Sequence, residues 1–328
     1  MMRITTACGM ARNYNRPLGK KWSGQFGLRV ENTNAKGDQL TTGIRFSRHY
    51  TQLFPTAYLQ YSANEKNQFV INYGRRINRP DYGDLNPFIH FLDRYTFEQG
   101  NPNLKPQFSH NIELSHTYKS FLTTTLNYSR TTDIIQQVIE QNELTNETFI
   151  KKANIASHEQ IGLTVTAYKE IKKWWSGSVY MNFANNHFKG IVNNDRISIS
   201  TATFIIQMQQ QFKWGKGWAG EVSGFYRTKG IEGVIFIKQI KQFNAGFSKQ
   251  ILKNKATVKL NFNDIFRGSV FHGYSKYSNV DAQFTNVNDQ RSISMGFTWR
   301  FNKGKLKANG SRQQGGAGDE QGRVKAGH

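Results

Sequence analysis

Apolar and polar residues alternate one for one along several stretches of this chain, and a period of two commits those stretches to β-strands with two unlike faces. In "RSISMGFTWRF" Ile293, Met295, Phe297, Trp299 and Phe301 fall on one face, and Ser292, Ser294, Gly296, Thr298 and Arg300 on the other. "KATVKLNFN" sets Ala256, Val258, Leu260 and Phe262 against Thr257, Lys259, Asn261 and Asn263. "HEQIGLTVTAY" and "NQFVINYGRR" repeat the pattern, with Val70 as an exception in the second. No apolar run approaches the roughly 18 residues that a membrane-crossing helix needs. A helical membrane protein is therefore excluded. Two all-β solutions remain: a soluble sandwich, or a membrane barrel whose alternating strands never look apolar on average.

Strand length and connection length separate these two. The alternating runs reach about ten residues, where strands of globular proteins are typically about five or six. Short connections at 63–67, 118–121, 170–174, 213–217 and 250–255 alternate with long ones at 33–48, 79–108, 140–157, 187–198, 228–240 and 264–290. That is the layout of an up-and-down membrane barrel with tight periplasmic turns and longer extracellular loops. About twelve antiparallel strands are expected, starting near residues 22, 49, 67, 109, 121, 158, 174, 199, 218, 241, 255 and 291.

The short turns combine aromatic residues with lysine: Trp174 and Trp175 with Lys172 and Lys173, Trp214 and Trp218 with Lys213 and Lys216, Tyr118 and Phe121 with Lys119. Such pairs suit a membrane interface, where rings sit among the headgroups and ammonium groups reach phosphates. They could also stack on single-stranded nucleic acid, and a net charge of +22 keeps a basic nucleic-acid-binding β protein as an alternative. Recurrence at strand ends, rather than along one face, favours the interface and argues against a nucleic-acid partner. Cys8 is the single cysteine, so an intrachain disulfide is excluded. The segment 1–21 is expected to be irregular, and Arg3, Arg12 and Asn13 interrupt any apolar core of a secretion signal.

The stretch "GNPNLKPQFSHNIELSHTY" (100–118) joins a rigid turn to a two-faced strand. Pro102 and Pro106 bias the residues before them toward extended backbone, and Gly100 and Asn101 supply turn chemistry. The larger block "RRINRPDYGDLNPFIHFLDRYTFEQGNPNLKPQFSHNIELSHTYKSF" (75–121) resembles the signature region of TonB-dependent receptor β-barrels. It is most similar to the outer membrane protein beta-barrel branch common in Bacteroidota. The matching residues are Arg79, Pro80, Leu85, Asn86, Pro87, Gly100, Asn101, Pro102, Leu104, Pro106 and Glu113. "GLRVENT" (27–33), "LFPTAYLQYS" (53–62), "NYSRTTDIIQQVIEQ" (127–141), "LNFNDIF" (260–266) and "ISMGFTWRFN" (293–302) resemble the same branch in the right order. One departure is Gln107, where the family often carries glutamate.

The resemblance implies a barrel of about twenty-two strands in the outer membrane, filled by an N-terminal plug and energised through the TonB complex for nutrient uptake. Against that plan, residues 22–302 would form a partial barrel, the second half, that lacks a signal peptide, a plug and the first half of the wall. Its partners would be outer-membrane lipid, the missing plug and N-terminal half, and the TonB complex only through that plug. A self-contained small pore of about twelve strands, closed between the strands near Trp22 and Arg291, is the alternative. The basic, Gly-rich tail 303–328 is expected to be disordered.

No HExxH, Walker A, GxSxG or CxxC motif occurs, so no catalytic residue, cofactor or metal site is assigned. His90 and His110 flank one long loop, and Asp81, Asp84, Asp93 and Glu98 lie in it; solvated acids balanced by Arg79 and Arg94 are the simpler reading. The same loop is the first choice for contact with a transported substrate, through Tyr82, Asn86, Phe88, Phe91, Tyr95 and Phe97. Those rings could instead pack the loop on itself. Lumen-facing Arg75, Lys259 and Arg300 are candidates for guiding an anionic solute, or for neutralising lumen carboxylates only.

Overall fold

A computed structural model describes residues 7–38, 43, 45–142, 144–192, 195–232, 235–277, 280–287 and 290–301. The tail assigned to 303–328 lies outside the described residues. The described chain is all-β apart from one 3-10 turn, Gly83–Leu85. In chain order the strands are β1 (Ala7–Pro17), β2 (Trp22–Asp38), β3 (Arg45–Asn64), β4 (Asn67–Asn78), β5 (Ile89–Phe91) and β6 (Thr96–Gln99). There follow β7 (Gln107–Tyr118), β8 (Leu122–Asn142), β9 (Glu147–Lys172), β10 (Trp175–Val192), β11 (Asp195–Gly215) and β12 (Trp218–Arg227). The last are β13 (Gly230–Glu232), β14 (Ile235–Ile237), β15 (Ile240–Ile251), β16 (Ala256–Asn263), β17 (Val270–Tyr277), β18 (Val280–Val287) and β19 (Ser292–Trp299).

Thirteen strands form one antiparallel wall in the order β1-β2-β3-β4-β7-β8-β9-β10-β11-β12-β15-β16-β19. All twelve expected strands are in it. The thirteenth, β1, corrects the expectation of an irregular segment 1–21 over residues 7–17, residues 1–6 lying outside those described: it pairs with β2 without interruption from Ala7 opposite Thr33 to Pro17 opposite Ser23. Polar Arg12, Asn13, Asn15 and Arg16 hide it from a search for alternation, because an edge strand is held by its backbone ladder rather than by a buried face.

The apolar face is continuous across the register. Leu59 lies beside Ile71, Ile71 beside Leu114, Leu114 beside Leu126, Leu126 beside Leu163, Leu163 beside Phe183, and Phe183 beside Phe204. Leu114, Leu126, Leu163 and Phe183 are about half exposed, an arrangement that in water would leave a broad greasy sheet and that only lipid can cover. The opposite face carries hydroxyls and amides that bond across the strands, such as Ser115 with Thr125 (2.8 Å), Thr117 with Thr123 (3.1 Å) and Asn182 with Thr164 (2.9 Å).

One end of the wall is closed by tight turns, and all six tryptophans lie there. Trp22, Trp175 and Trp218 begin strands, Trp174 occupies a turn, and Trp214 and Trp299 close strands. Rings run along this rim in stacks: Trp22, Tyr61, Phe69 and His116 on one side, and Trp174, Trp175, Phe212, Trp214 and Phe247 on the other. This is an aromatic girdle.

At the other end the expected long loops 33–48, 140–157 and 187–198 are mostly strand. β8 runs to Asn142 and β9 resumes at Glu147, while β10 ends at Val192 and β11 starts at Asp195. Beyond the hydrocarbon no face has to be apolar, so the period of two fades while the backbone ladder continues. The connections 228–240 and 264–290 contribute a separate four-stranded sheet, β13-β14-β17-β18. Its Ile231 joins Ile134, Val138, Ile155 and Phe188 of the long ribbons in a small apolar core.

Candidate functional site

The loop between β4 and β7, residues 79–106, crosses from its own strands to β9. Its β6 pairs parallel with β9, Thr96 to Thr148, Phe97 to Phe149 and Glu98 to Ile150. Since β8 covers the other edge of β9 at the same height, Ile139 facing Ile150, the loop occupies the edge that β10 leaves open above Ser157. The backbone N–H of Thr148 also donates to the carbonyl of Tyr95 at 2.7 Å.

The motif residues hold this crossing in place. Asn101-Pro102-Asn103-Leu104 is a turn, with the Leu104 N–H donating to the Asn101 carbonyl (3.2 Å) and the Asn103 N–H to Asn101 Oδ1 (2.9 Å). Leu104 is fully buried. The Asn101 side chain donates to the Lys152 carbonyl at 3.0 Å, and Lys152 Nζ pairs with Asp84 at 2.8 Å. Gly100 is required by space: a Cβ there would stand 2.1 Å from the Asn86 carbonyl oxygen, which locks Gly-Asn-Pro against Leu-Asn-Pro. Asn154 of β9 makes three bonds at the same place. Its Nδ2 donates to the carbonyls of Lys105 (2.9 Å) and Asp133 (2.7 Å), and its Oδ1 accepts from the Lys105 N–H (2.8 Å). Arg48 of β3 donates to the carbonyls of Leu104 and Pro102. Gln107 Oε1 accepts the N–H of Ile135 at 2.9 Å, a neutral bond suited to the amide that replaces the family's glutamate.

The neighbouring wall is tied by arginines. Arg79 pairs with Glu31 at 2.6 Å and donates to Thr33 Oγ1 at 3.1 Å. Arg75 lies over the rings of Phe54 (5.7 Å) and Phe108 (4.9 Å) and donates to the Leu53 carbonyl (2.8 Å) and Gln52 Oε1 (2.9 Å). Both terminal nitrogens of Arg75 are thus bonded to β3. Lys259 does line a polar recess of the inner face, with Glu221, Ser223, Asn244 and Asn261. Arg300 sits at the turn end, its N–H donating to the Lys255 carbonyl at 2.8 Å.

Of the six expected contact residues, Phe88, Phe91 and Tyr95 are exposed at 52%, 77% and 51%. Tyr82 is half-buried and Asn86 exposed. Phe97 is a correction: it is buried, stacked on Phe149 (5.3 Å) and edge-on to Phe91 (5.2 Å), so it anchors the loop and presents no face to a solute. Alternation of β6 with β9 decides this, and nothing local to the loop signals it.

The acids and histidines have separate partners. Asp84 pairs with Lys152, not with Arg79 or Arg94 as expected, and Arg94 lies over the Tyr95 ring at 5.4 Å. The Tyr95 N–H donates to Asp93 at 2.8 Å, and that backbone bond holds the Asp93 carboxyl below its usual range. His90 meets Phe88 edge-on, whereas His110 bonds the Tyr73 hydroxyl at 3.0 Å. Among the described residues no three His, Cys, Asp or Glu side chains converge as a metal site would require.

A wall with one lipid-facing surface, one hydrated surface, an aromatic rim of tight turns and a stapled loop at the far end defines an outer-membrane β-barrel protein. The model of the outer membrane protein beta-barrel family matches residues 12–299, and the chain belongs to that family. Its place is the outer membrane. Among solved structures the fold is similar to the FrpB iron transporter from Neisseria meningitidis, with TM-score 0.61 and 13% identity over 90% of this chain and 45% of that one. The siderophore receptor PiuA from Acinetobacter baumannii gives 0.60 and 12% over 89% and 43%, and the copper transporter OprC 0.57 and 10% over 81% and 43%. The chain thus spans less than half the length of these three proteins. No curated protein sequence matches it.

Proposed function

We propose that this chain is the C-terminal part of the barrel of a TonB-dependent outer-membrane receptor. Such a receptor takes up a scarce nutrient, without chemistry of its own, through a plug supplied outside the residues present here. The observation that carries the reading is the open wall. Every neighbouring pair along the thirteen strands is antiparallel, so β1 and β19 run in the same direction. Closing this sheet on itself would need a parallel seam between them, whereas an odd number of further strands completes an even, fully antiparallel barrel. A barrel of about twenty-two strands, as the family resemblance implies, requires nine more. The same parity favours this reading over the self-contained pore of about twelve strands, whose first strand, β2, has β1 on its outer edge.

In the complete receptor the exposed rings of Phe88, Phe91 and Tyr95, together with Tyr82 and Asn86, form the first contact with the solute. The iron, siderophore and copper cargo named for the similar structures marks small metal-bearing solutes as the first class to try. The test has two parts. The chain is to be recovered from outer membranes only with detergent; a soluble, monodisperse protein without detergent overturns the reading. Uptake by the complete protein is to stop when the TonB complex is deleted, and uptake that persists would make it a passive pore.

A further inference from the structure

Each of the six tight turns carries at least one exposed lysine: Lys21, Lys66, Lys119, Lys173, Lys216 and Lys253 represent them in order. The acids in or directly beside those turns are Glu65 and Glu170. At the opposite end positive and negative groups pair with one another, as in Arg79–Glu31, Lys151–Glu140, Lys152–Asp84 and Lys276–Asp281. Among the described residues no ion pair includes a turn lysine. Several rim ammonium groups are instead held against girdle rings. Lys119 lies 5.2 Å from the Tyr118 ring centre, Lys172 5.7 Å from Trp174, and Lys249 4.7 Å from Trp218. Rings at the headgroup level thereby fix the height of the charges at the headgroup level.

We infer that this rim is a binding surface for the phosphate headgroups of anionic phospholipids in the leaflet facing the periplasm. The inference rests on reading the tight-turn end as periplasmic, and it is independent of what the receptor transports. Three features favour lipid over any other anion. The lysines follow the full width of the wall instead of converging on one pocket. They lie next to the exposed rings that contact acyl chains. Among the described residues none of them is paired with a carboxylate, so their attraction is available to the membrane surface, where a basic side chain draws anionic lipid without any shaped site.

All six tryptophans sit at this rim, so their fluorescence reports on it alone. The full chain, refolded in zwitterionic detergent micelles, is to be titrated with brominated phosphatidylglycerol and with brominated phosphatidylcholine. Half-maximal quenching is expected at about five-fold less of the anionic lipid, the scale of attraction of one surface lysine. The preference should shrink in about 1 M salt, where the screening length falls to roughly 3 Å. K21Q/K66Q/K119Q/K172Q/K173Q/K216Q/K249Q/K253Q should abolish it, whereas K105Q/K189Q/K229Q/K238Q at the other end should retain it. Equal quenching by both lipids, or a preference that survives the turn substitutions, overturns the proposal. So does loss of the preference when inorganic phosphate or polyglutamate replaces chloride at constant ionic strength, which would assign the rim to a free anion or an acidic peptide. The β-strand circular dichroism signal keeps misfolding distinguishable, and solubility without detergent would defeat the membrane reading instead.

Discussion

The two ends of this wall solve the same problem in opposite ways. At the tight-turn end each connection spans a few residues, its charges are mostly positive and no described ion pair includes its lysines, and stability comes from the ladder and the stacked girdle. At the far end the chain spends long segments on itself: the 79–106 loop docks on β9, the four-stranded sheet packs over the long ribbons, and charges pair. The difference follows from surroundings. A turn at the interface has lipid headgroups and water to satisfy it, while a long connection in water must bury residues of its own to hold one shape. Single substitutions should therefore be costly at the loop end and mild at the turn end.

The largest effect is expected for Leu104→Ala, which empties a fully buried site in the stapled turn and should cost about 2–5 kcal/mol. Hydrogen exchange in micelles should show the 79–106 loop opening while β15 and β16 stay protected; uniform loss would mean that the two ends are not separable. Asn154→Ala strands two carbonyls and one N–H between β9 and the loop, and should cost about 1–3 kcal/mol, read as faster protease cleavage near Lys105. Gly217→Ala probes the exception at the turn end. Gly217 has φ 78° and its added Cβ would approach Gln250 to 3.0 Å, so about 1–2 kcal/mol should be lost from the β11–β12 turn by thermal melting. Phe91→Ser, at an exposed ring, should change the melting point least, by less than about 0.5 kcal/mol in stability. A larger loss there would show that the loop tip packs more than its exposure indicates.

Much of the wall was legible because lipid and lumen impose a strict period of two on the hydrocarbon-spanning residues. Ile161 and Leu163 against Gly162 and Thr164 were enough to place β9 and to orient it. The same rule explains the failures. β1 leaves no clear signal because Arg12 and Arg16 interrupt the face that carries Met10 and Tyr14, and the upper parts of β8 to β11 read as loops because their alternation ends where the hydrocarbon ends. At the loop, Pro102, Pro106 and Gly100 announced a rigid turn, but the partner of Gly100 is Asn86, fourteen positions earlier, and no local signal names it. Phe97 looked like its neighbours Phe91 and Tyr95 until β6 met β9.

Residue order alone was sufficient for the class of fold, the direction each face points, the tight turns at one end, and the gathering of tryptophan and lysine at that rim. Each of these is a local periodicity, readable without knowing what lies beside it. The thirteenth strand, the parity that leaves the wall open, the parallel docking of β6 on β9 and the pairing of Asp84 with Lys152 emerged when distant segments came together. Backbone ladders and side-chain contacts between positions far apart in the chain leave no periodic trace, because the pairing energy resides in neither segment until both are in place.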